Sequence, residues 1–553
     1  MRKNILIAFL FLLSQIGFAN STLTENQKLA ATCKIWGFLK YYHPNVASGK
    51  FDWDKQLFEI LPKVEEAKTD TEFSNVIETW VTSLGEIKAY KAAIPTEKIN
   101  YFDKNLNLSW IQKTKFFSKS LSAKLKFIEN NKIQGKQFYI DYGDENHPAP
   151  IQFTNEVQYT KFDAKDKNLR LLALFRYWNY VEYFFPYKYQ MDQNWDLTLS
   201  EFLPRSINPD SELDFYLSLK EFSAKLNDTH ASFGANKMFE KFGDKFIPFD
   251  VKFIDNKAIV TGFKNDSLSK INDIKVGDVI TKLQGKSIEE LIKENQKYIE
   301  GSNYSAILNN IYWAIFNGNT NTAEIEFVRE DKTAVKTINR YIYKDLKINY
   351  EDKKDKYKWL ENNIGYVDLG ILNEEDVQAM MEQFKNAKAI IFDIRNYPRD
   401  TNFAIAEYLN PEPKEFVKSL DADLNSPGRF IWRNKENPCG KINPDYYKGN
   451  VILLVNEKSI SHSEFTAMTL QAAPKATVIG NQTAGADGAN YRFQIIKGMV
   501  GSFTCYGVFY PNKKEVQRIG IVPDIEVNQT ILGIQQGKDE ILDRAVLFAN
   551  TSK

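Results

Sequence analysis

The chain has 553 residues, of which 43% are hydrophobic and 26% are charged, and its net charge is +1 from 72 basic and 71 acidic residues. A chain of this length divides into several domains of roughly 100–200 residues, and its composition is that of a soluble globular protein. The balance of charge argues against a basic nucleic-acid-binding surface, so no nucleic acid partner is expected.

The first twenty residues have the layout of an export signal. Arg2 and Lys3 provide a positive start, Ile5–Leu13 is an apolar run, and small residues follow. That run is too short to cross a bilayer, and no later stretch approaches about 18 uninterrupted apolar residues. We therefore predict a cleavable signal peptide at residues 1–20 and a periplasmic or extracellular mature protein without an integral membrane segment.

Cysteine usage argues against a disulfide scaffold and against a metal site. The three cysteines cannot all pair with one another, and their spacing matches no metal-binding motif. The sequence also has no His/Cys/Glu cluster with ligand spacing, no phosphate loop and no dinucleotide fingerprint. We expect buried thiols, no metal and no cofactor.

An internal repeat organises the N-terminal half. Each copy starts with apolar residues at helical spacing and stops at a proline, which cannot continue a helix. The offset is constant at 142 residues, as from Trp36 to Trp178, and needs no gap, which predicts duplicated helical units. Where the second copy has His230 the first has Lys88, so only the second unit supplies this histidine. The matched positions are Trp36, Trp53, Leu61 and Pro62 in the first copy and Trp178, Trp195, Leu203 and Pro204 in the second.

Later parts of the chain change to strand patterning. Short strands alternate with turns between Phe246 and Arg340, and Ile274–Gly285 looks like the strand pair of a PDZ domain, which takes up an extended peptide at a sheet edge. Beyond residue 360, strands and helices alternate as in an α/β domain. We predict a multidomain α/β protein. Its parts are a first helical unit (21–95), a strand-containing connecting segment (96–165), a second helical unit with His230 (166–240), a PDZ-like β domain (241–345) and an α/β core (346–553).

The most specific candidate site is a serine-rich turn after an apolar strand. Leu453–Val455 runs into Ser459–Ser463 and then into a helix that carries Phe465. A serine at such a turn exposes its hydroxyl at a helix N-terminus, where free N–H groups and the helix dipole favour developing negative charge. A serine before a helix is also the ordinary N-cap residue, so the turn alone leaves both roles open.

Three motifs resemble those of the C-terminal processing (tail-specific) serine peptidases. Asp393–Pro398 resembles the family's Asp-Leu-Arg-x-Asn-Pro-Gly-Gly loop, Ser459–Glu464 its Ser-Ala-Ser-Ala-Ser-Glu turn, and Gly520–Ile525 its closing Gly-Ile-x-Pro-Asp-Ile segment. The resemblance implies an α/β peptidase core of the crotonase/ClpP-like kind, with Ser461 as the nucleophile and Ser463 as the helix N-cap.

The resemblance also implies partners for Ser461. The family's lysine branch takes its base from a Thr-Phe-Gly-Lys-Gly segment, but here Thr483–Gly488 has no lysine. The tricorn-core-like branch uses a histidine before the PDZ domain, which corresponds to His230, and the preceding hydroxyl residue, here Thr229, helps to orient the imidazole. A glutamate completes that branch's Ser-His-Ser-Glu tetrad, but its slot holds Gln517, which can orient a partner without stabilising an imidazolium by charge.

The oxyanion hole departs from the family pattern. Arg399 and Asp400 replace the Gly-Gly pair whose backbone N–H serves there, and the preceding Pro398 has no N–H. The resemblance implies the amides of Arg399 and His462 as the two donors. Glu515 lies near the tetrad slot, and a shifted register there would restore a carboxylate.

The sequence predicts an exported serine peptidase that cleaves peptides or protein tails through an acyl-enzyme on Ser461, with His230 as the general base. The resemblance covers about residues 165–550. Two alternatives stay open. Gln517 and Arg399 also fit a catalytically inactive peptide-binding protein that keeps the peptidase fold and the PDZ groove, and the same serine chemistry fits hydrolysis of a non-peptide ester or amide. A peptide or protein partner is expected, whereas the peptide-binding residues and the oligomeric state stay unspecified.

Overall fold

The computed structural model describes residues 23–90, 99–143, 151–348, 355–434 and 438–551. The predicted signal peptide at residues 1–20 lies outside these described residues. Within these ranges, no helix combines the length and apolar character that crossing a membrane requires. The three cysteines lie in the described part and are buried, as expected.

The N-terminal half contains two three-helix units of one architecture. In the first unit, the indole Nε1 of Trp36 donates to the carbonyl of Trp53 over 3.2 Å, and that of Trp53 donates back over 3.1 Å. Trp178 and Trp195 make the same reciprocal pair in the second unit, at 3.1 Å each. The fold therefore contains the duplication that the repeat predicts. The helices are α1 (Glu25–Tyr42), α2 (Trp53–Glu66), α3 (Asp70–Ser83), α4 (Lys167–Phe184), α5 (Trp195–Ile207) and α6 (Glu212–Ala224).

The prolines of the repeat act in two ways. Helices α1 and α4 end before Pro44 and Pro186, the first proline of each copy. Pro62 and Pro204, in contrast, lie inside α2 and α5, so the prediction that they stop a helix is wrong. A proline in a helix interior removes one backbone hydrogen bond. Burial of an apolar face on each of these helices offsets that loss.

The connecting segment joins the helical units to the C-terminal part. Its strand Tyr101–Phe102 pairs antiparallel with Phe430–Trp432, in a four-stranded sheet completed by Lys418–Ala422 and Gly507–Phe509. The remaining elements of this segment are the helices Trp110–Lys113 and Lys119–Asn130 and the strands Ile140–Asp141 and Gln152–Phe153.

The predicted PDZ-like region is an antiparallel sheet with helices packed against it. Its elements, with the strand that precedes it, are β1 (Ser232–Gly234), β2 (Phe249–Ile254), β3 (Lys257–Phe263), β4 (Val279–Leu283), β5 (Thr322–Arg329), β6 (Lys332–Asn339), α7 (Ile288–Asn295) and α8 (Tyr304–Asn310). The strand order is β6-β5-β4-β3-β2, with Lys286–Ser287 pairing with β4 off this path. Strand β2 is therefore an edge strand, and α8 packs beside it.

The C-terminal part is an α/β domain around a mostly parallel sheet. Its elements are β7 (Tyr357–Leu360), β8 (Ile364–Asp368), β9 (Ala389–Asp393), β10 (Asn450–Val455), β11 (Ala476–Gly480), β12 (Asn490–Ile496), β13 (Met499–Thr504), β14 (Ile525–Glu526), α9 (Glu374–Phe384), α10 (Asn402–Leu409), α11 (His462–Gln471) and α12 (Glu540–Thr551). The strand order is β7-β8-β9-β10-β11-β14, and all pairs except β7–β8 are parallel. Every residue of β9 is buried, as expected for a central strand covered on both faces.

A separate three-stranded sheet links the second helical unit to this domain. Its order is β12-β13-β1, and β1 follows directly after the loop that holds His230. The antiparallel register pairs Ser232 with Ser502 and Phe233 with Gly501. This pairing fixes the histidine loop against the end of β13.

Candidate functional site

Ser461 lies at the N-terminus of α11, directly after the loop that follows β10. The helix begins at His462, so Ser461, and not the predicted Ser463, occupies the N-cap position. The backbone of Ser461 has φ 57° and ψ −121°, a conformation that a non-glycine residue adopts only at an energetic cost. Ser461 and Glu464 form a capping box, in which the Glu464 carboxylate accepts from the amide of Ser461.

Glu464 holds this strained turn in place. Its carboxylate accepts from the backbone amides of Gly485 (2.8 Å), Ala486 (2.9 Å) and Ser461 (3.3 Å) and from the hydroxyl of Thr483. Burial raises the pKa of Glu464 to about 7, and these hydrogen bonds act in the opposite direction. Glu464 therefore ties the Ser461 turn to the segment 483–488.

His230 lies in the loop before β1, with 8% of its surface exposed. Its ring Nδ1 is 3.0 Å from Thr504 Oγ1, at the end of β13. Burial lowers the pKa of His230, while the neighbouring Asp228 carboxylate acts in the opposite direction. The neutral imidazole is therefore the favoured form, as a general base requires.

Asp228 is fully buried beneath this histidine. Its carboxylate accepts from Thr504 twice, at 2.7 Å from the amide and 2.8 Å from the hydroxyl. It also accepts from the backbone N–H of His230 at 3.2 Å and from the side-chain amide of Gln517 at 3.0 Å. Sequence reasoning assigned no role to Asp228 or Thr504.

The predicted orienting residue Thr229 makes other contacts. Its hydroxyl donates to the carbonyl of Ala484 at 2.8 Å and accepts from the amide of Ser302 at 2.9 Å. It thus joins the histidine loop, the PDZ-like region and the segment 483–488. Thr504, and not Thr229, supplies the hydroxyl next to the imidazole Nδ1.

Gln517, the residue in the predicted tetrad slot, is buried, with 1% of its surface exposed. Its side-chain nitrogen bonds to Asp228 and its side-chain oxygen has no hydrogen-bond partner among the described residues. Glu515 is placed elsewhere, where it accepts hydrogen bonds from Tyr189 at 2.8 Å and Gln190 at 2.8 Å. The shifted register that would restore a carboxylate at this slot is therefore not adopted.

The segment 483–488 contacts both halves of the predicted pair. Ser461 donates its amide to Ala486 at 3.1 Å, and Thr229, which precedes His230, bonds to Ala484. A Cβ added at Gly488 would lie 3.1 Å from Thr504 Cγ2. Segment 483–488 therefore also packs against Thr504, whose hydroxyl contacts the imidazole of His230. Within the described chain, no hydrogen bond joins the Ser461 hydroxyl directly to His230. Their catalytic roles stay predictions.

The two predicted oxyanion donors differ in this conformation. His462 is the first residue of α11, and its amide has no backbone acceptor within the described residues. The amide of Arg399 donates to the carbonyl of Leu369 at 3.1 Å, so in this conformation it is occupied and does not point at a free site. The loop after β9 nevertheless approaches the Ser461 turn, since Asp400 Oδ1 lies 3.2 Å from His462 Nε2.

A cleft of about 670 Å³ separates the PDZ-like region from the α/β domain. The edge strand β2 and helix α8 line one side, and Asn456–Lys458, from the loop that leads to Ser461, line the other. An ion pair between Lys252 and Glu457, 2.8 Å long, crosses it.

Comparison with known proteins agrees with this architecture. Residues 363–527 match peptidase family S41, and residues 244–351 match the PDZ domain. The span matched to peptidase family S41 includes the Ser461 turn and its two companion motifs. The resemblance drawn from the Ser461 turn and its companion motifs is therefore confirmed, as is the PDZ-like region.

Relatives of the S41 domain show how far the similarity extends. The carboxy-terminal-processing protease of Bartonella bacilliformis is 28% identical over 228 residues, which cover 38% of this chain and 50% of that protein. The match thus spans half the length of this relative. The structure of mature CPAF complexed with lactacystin has a TM-score of 0.54 at 12% identity, covering 70% of this chain and 99% of that chain. Mature CPAF gives 0.52 at 13% identity over 70% and 99%. These structures share the fold.

Proposed function

We propose that this chain is an exported serine peptidase that cleaves peptides or protein tails through an acyl-enzyme on Ser461, with His230 as the general base. The observation that carries the proposal is the shared segment 483–488, which contacts the strained Ser461 turn on one side and the His230 loop on the other. The S41 domain match supports the reaction class.

The reaction begins when His230 takes the hydroxyl proton of Ser461 as the oxygen attacks the scissile carbonyl. Burial favours the neutral imidazole that can accept this proton. The step requires Ser461 Oγ and His230 Nε2 to reach hydrogen-bond distance in the substrate complex, where catalytic contacts tighten. The amide of His462 faces the oxyanion, and His230 gives its proton to the leaving amine as the peptide C–N bond breaks and the acyl-enzyme forms. Water then attacks the acyl-enzyme as it gives a proton to His230, and His230 passes that proton to Ser461 Oγ as the carboxylic acid product leaves.

A peptide substrate fits the cleft beside the PDZ domain. Strand β2 is an edge strand, so an extended peptide can pair with its free backbone groups, and Leu308 on α8 offers an apolar contact for a side chain. The opposite wall, Asn456–Lys458, leads along the chain to Ser461. This arrangement favours a peptide over a small non-peptide ester. The layout of residues 1–20 supports export to the periplasm or the cell exterior.

A peptidase assay on the wild type and single variants tests this function. We expect Ser461→Ala and His230→Ala to abolish peptide cleavage, and Ser48→Ala, an exposed serine in the first helical unit, to cleave like the wild type. Equal cleavage in all four proteins would remove the assignment. Peptide binding by a wild type that cleaves neither peptides nor esters would favour the inactive peptide-binding alternative, and ester turnover without peptide cleavage would favour a non-peptide hydrolase.

A further inference from the structure

A buried chain of hydrogen bonds runs from the proposed base to a carboxylate that the family resemblance does not assign. The imidazole Nδ1 of His230 contacts Thr504 Oγ1 at 3.0 Å, and the same oxygen contacts Asp228 Oδ1 at 2.8 Å. Both Thr504 and Asp228 are fully buried. Solvent therefore does not compete for these contacts.

The chemistry of the three groups decides the direction of each hydrogen bond. An ionised carboxylate only accepts, and the partners of Asp228 are all donors: two backbone amides, the Gln517 side-chain amide and the Thr504 hydroxyl. A threonine hydroxyl has one hydrogen, which Thr504 gives to Asp228. Its oxygen then accepts from the imidazole, so the proton of the neutral ring resides on Nδ1 and Nε2 keeps its lone pair. This is the tautomer that a base needs in order to accept the serine proton.

Strand pairing holds the histidine loop close to Thr504. The antiparallel pairing of β1 with β13 places Ser232 opposite Ser502, and each of these residues is two positions from His230 or Thr504 along its own segment. The hydroxyl of Ser502 also donates to the carbonyl of His230 at 2.7 Å. The histidine loop is thus held at both its main chain and its ring.

Gln517, which stands where the resemblance implies a glutamate, is consistent with this assignment. Gln517 donates to Asp228 instead of supplying a charge of its own, and its neutral amide avoids two carboxylates at close range. Among the residues that the structure describes, Asp228 supplies the carboxylate that is hydrogen-bonded to the side chains of Thr504 and Gln517.

Accepting the proposed peptidase function, we propose that Thr504 and Asp228 are positioning residues for His230: Thr504 fixes the Nδ1-protonated tautomer, and Asp228 supplies the negative charge for which Gln517 is unsuited.

Nitrogen-15 NMR of the histidine rings tests the tautomer without any substrate. The chain has four histidines, and a His230→Gln sample identifies the His230 signals by their loss. We expect a protonated-type shift at Nδ1 and a bare-type shift at Nε2 in the wild type. Thr504→Val should shift the tautomer balance towards Nε2–H, and Thr504→Ser should restore the wild-type pattern. Thr79→Val, the same loss of a threonine hydroxyl at an exposed position of the first helical unit, should leave the pattern unchanged.

Kinetics of the same variants report on the reaction. Thr504→Val should lower kcat/KM about 10²-fold, mainly through kcat, since a positioned base contributes on the order of 10²–10⁴. Thr504→Ser should regain most of this loss. An Nε2-protonated wild type, or an unchanged spectrum in a folded Thr504→Val, would overturn the proposal. Because the wild-type spectrum alone reports the tautomer of His230, it tests the proposal even where a variant fails to fold. The predicted spectrum in a wild type that cleaves nothing would support the positioning roles and refute the peptidase function separately.

Discussion

The side-chain amide of Gln517 donates a hydrogen bond to the carboxylate of Asp228 over 3.0 Å, in a fully buried site beneath His230. The resemblance to the tricorn-core-like branch implies a glutamate in the slot of Gln517. In this chain, the neighbouring buried carboxylate already accepts four hydrogen bonds, so a second acid there has no suitable partner.

We predict that Gln517→Glu, although it restores the family residue, lowers both stability and activity. The change replaces a donor with a like charge next to Asp228, which costs about 1–3 kcal/mol or more for a charged group. Chemical denaturation and kcat/KM measure the two effects. Gln517→Met, which keeps the volume without the charge, is the matched control. Higher activity in Gln517→Glu would show that this slot, and not Asp228, holds the functional carboxylate.

Stability should fall as the pH rises through neutrality because of Glu464. Its pKa is raised from 4.5 to about 7 in the folded protein, so its contribution is fully present below the unfolded pKa and is lost as pH rises through the folded value. In Glu464→Gln this part of the pH dependence should vanish. The variant should also lose about 1–3 kcal/mol, since one side-chain oxygen that accepts backbone amides becomes a donor. Denaturant unfolding at pH 5 and pH 8 measures both effects, and an unchanged pH dependence in the variant would contradict the assignment to Glu464.

The two helical copies meet at equivalent positions, Gly37 of α1 and Asn179 of α4. A Cβ at Gly37 would lie 1.7 Å from Asn179 Oδ1, so Gly37→Ala should destabilise the protein by about 1–3 kcal/mol through overpacking. The double variant Gly37→Ala with Asn179→Ala removes the clashing atoms and should recover part of the loss. Thermal unfolding measures both. Additive losses in the double variant would mean that the two positions do not pack as described.

The cleft between the PDZ-like region and the α/β domain should affect the binding of long peptides but not the chemical step. Leu308→Glu places a charge in the cleft and should raise KM for a long peptide, while leaving the reaction with a small ester substrate unchanged. Val335→Glu, on the opposite edge strand β6 and 59% exposed, is the control for an added charge on the same domain. A peptide KM that stays at the wild-type value in Leu308→Glu would exclude this cleft as the binding groove.

Sequence reasoning was most effective where the signal is local or periodic. The reciprocal Trp36–Trp53 and Trp178–Trp195 contacts follow from a gap-free repeat, and the Ser461 turn follows from an apolar strand before a serine-rich helix start. The N-cap position was predicted two residues too late because Ser461 and Ser463 are equally good capping residues by composition.

The partners of His230 could not be predicted in the same way. Thr504 reaches the imidazole through strand pairing between segments more than 270 residues apart, and a threonine in an apolar strand carries no signal of that register. Thr229 looked suitable because it is adjacent in sequence, yet its hydroxyl is occupied by Ala484 and Ser302. The occupied amide of Arg399 likewise depends on a loop conformation, and not on residue type.

The central claim is that Ser461 is a nucleophile activated by His230. Mass-spectrometric mapping of a fluorophosphonate adduct, with its rate of formation in the wild type and in His230→Gln, tests it most directly. We expect the adduct on Ser461 in the wild type, forming about 10²-fold or more slowly in the variant. An adduct on another residue, or equal rates in a folded variant, would contradict the account.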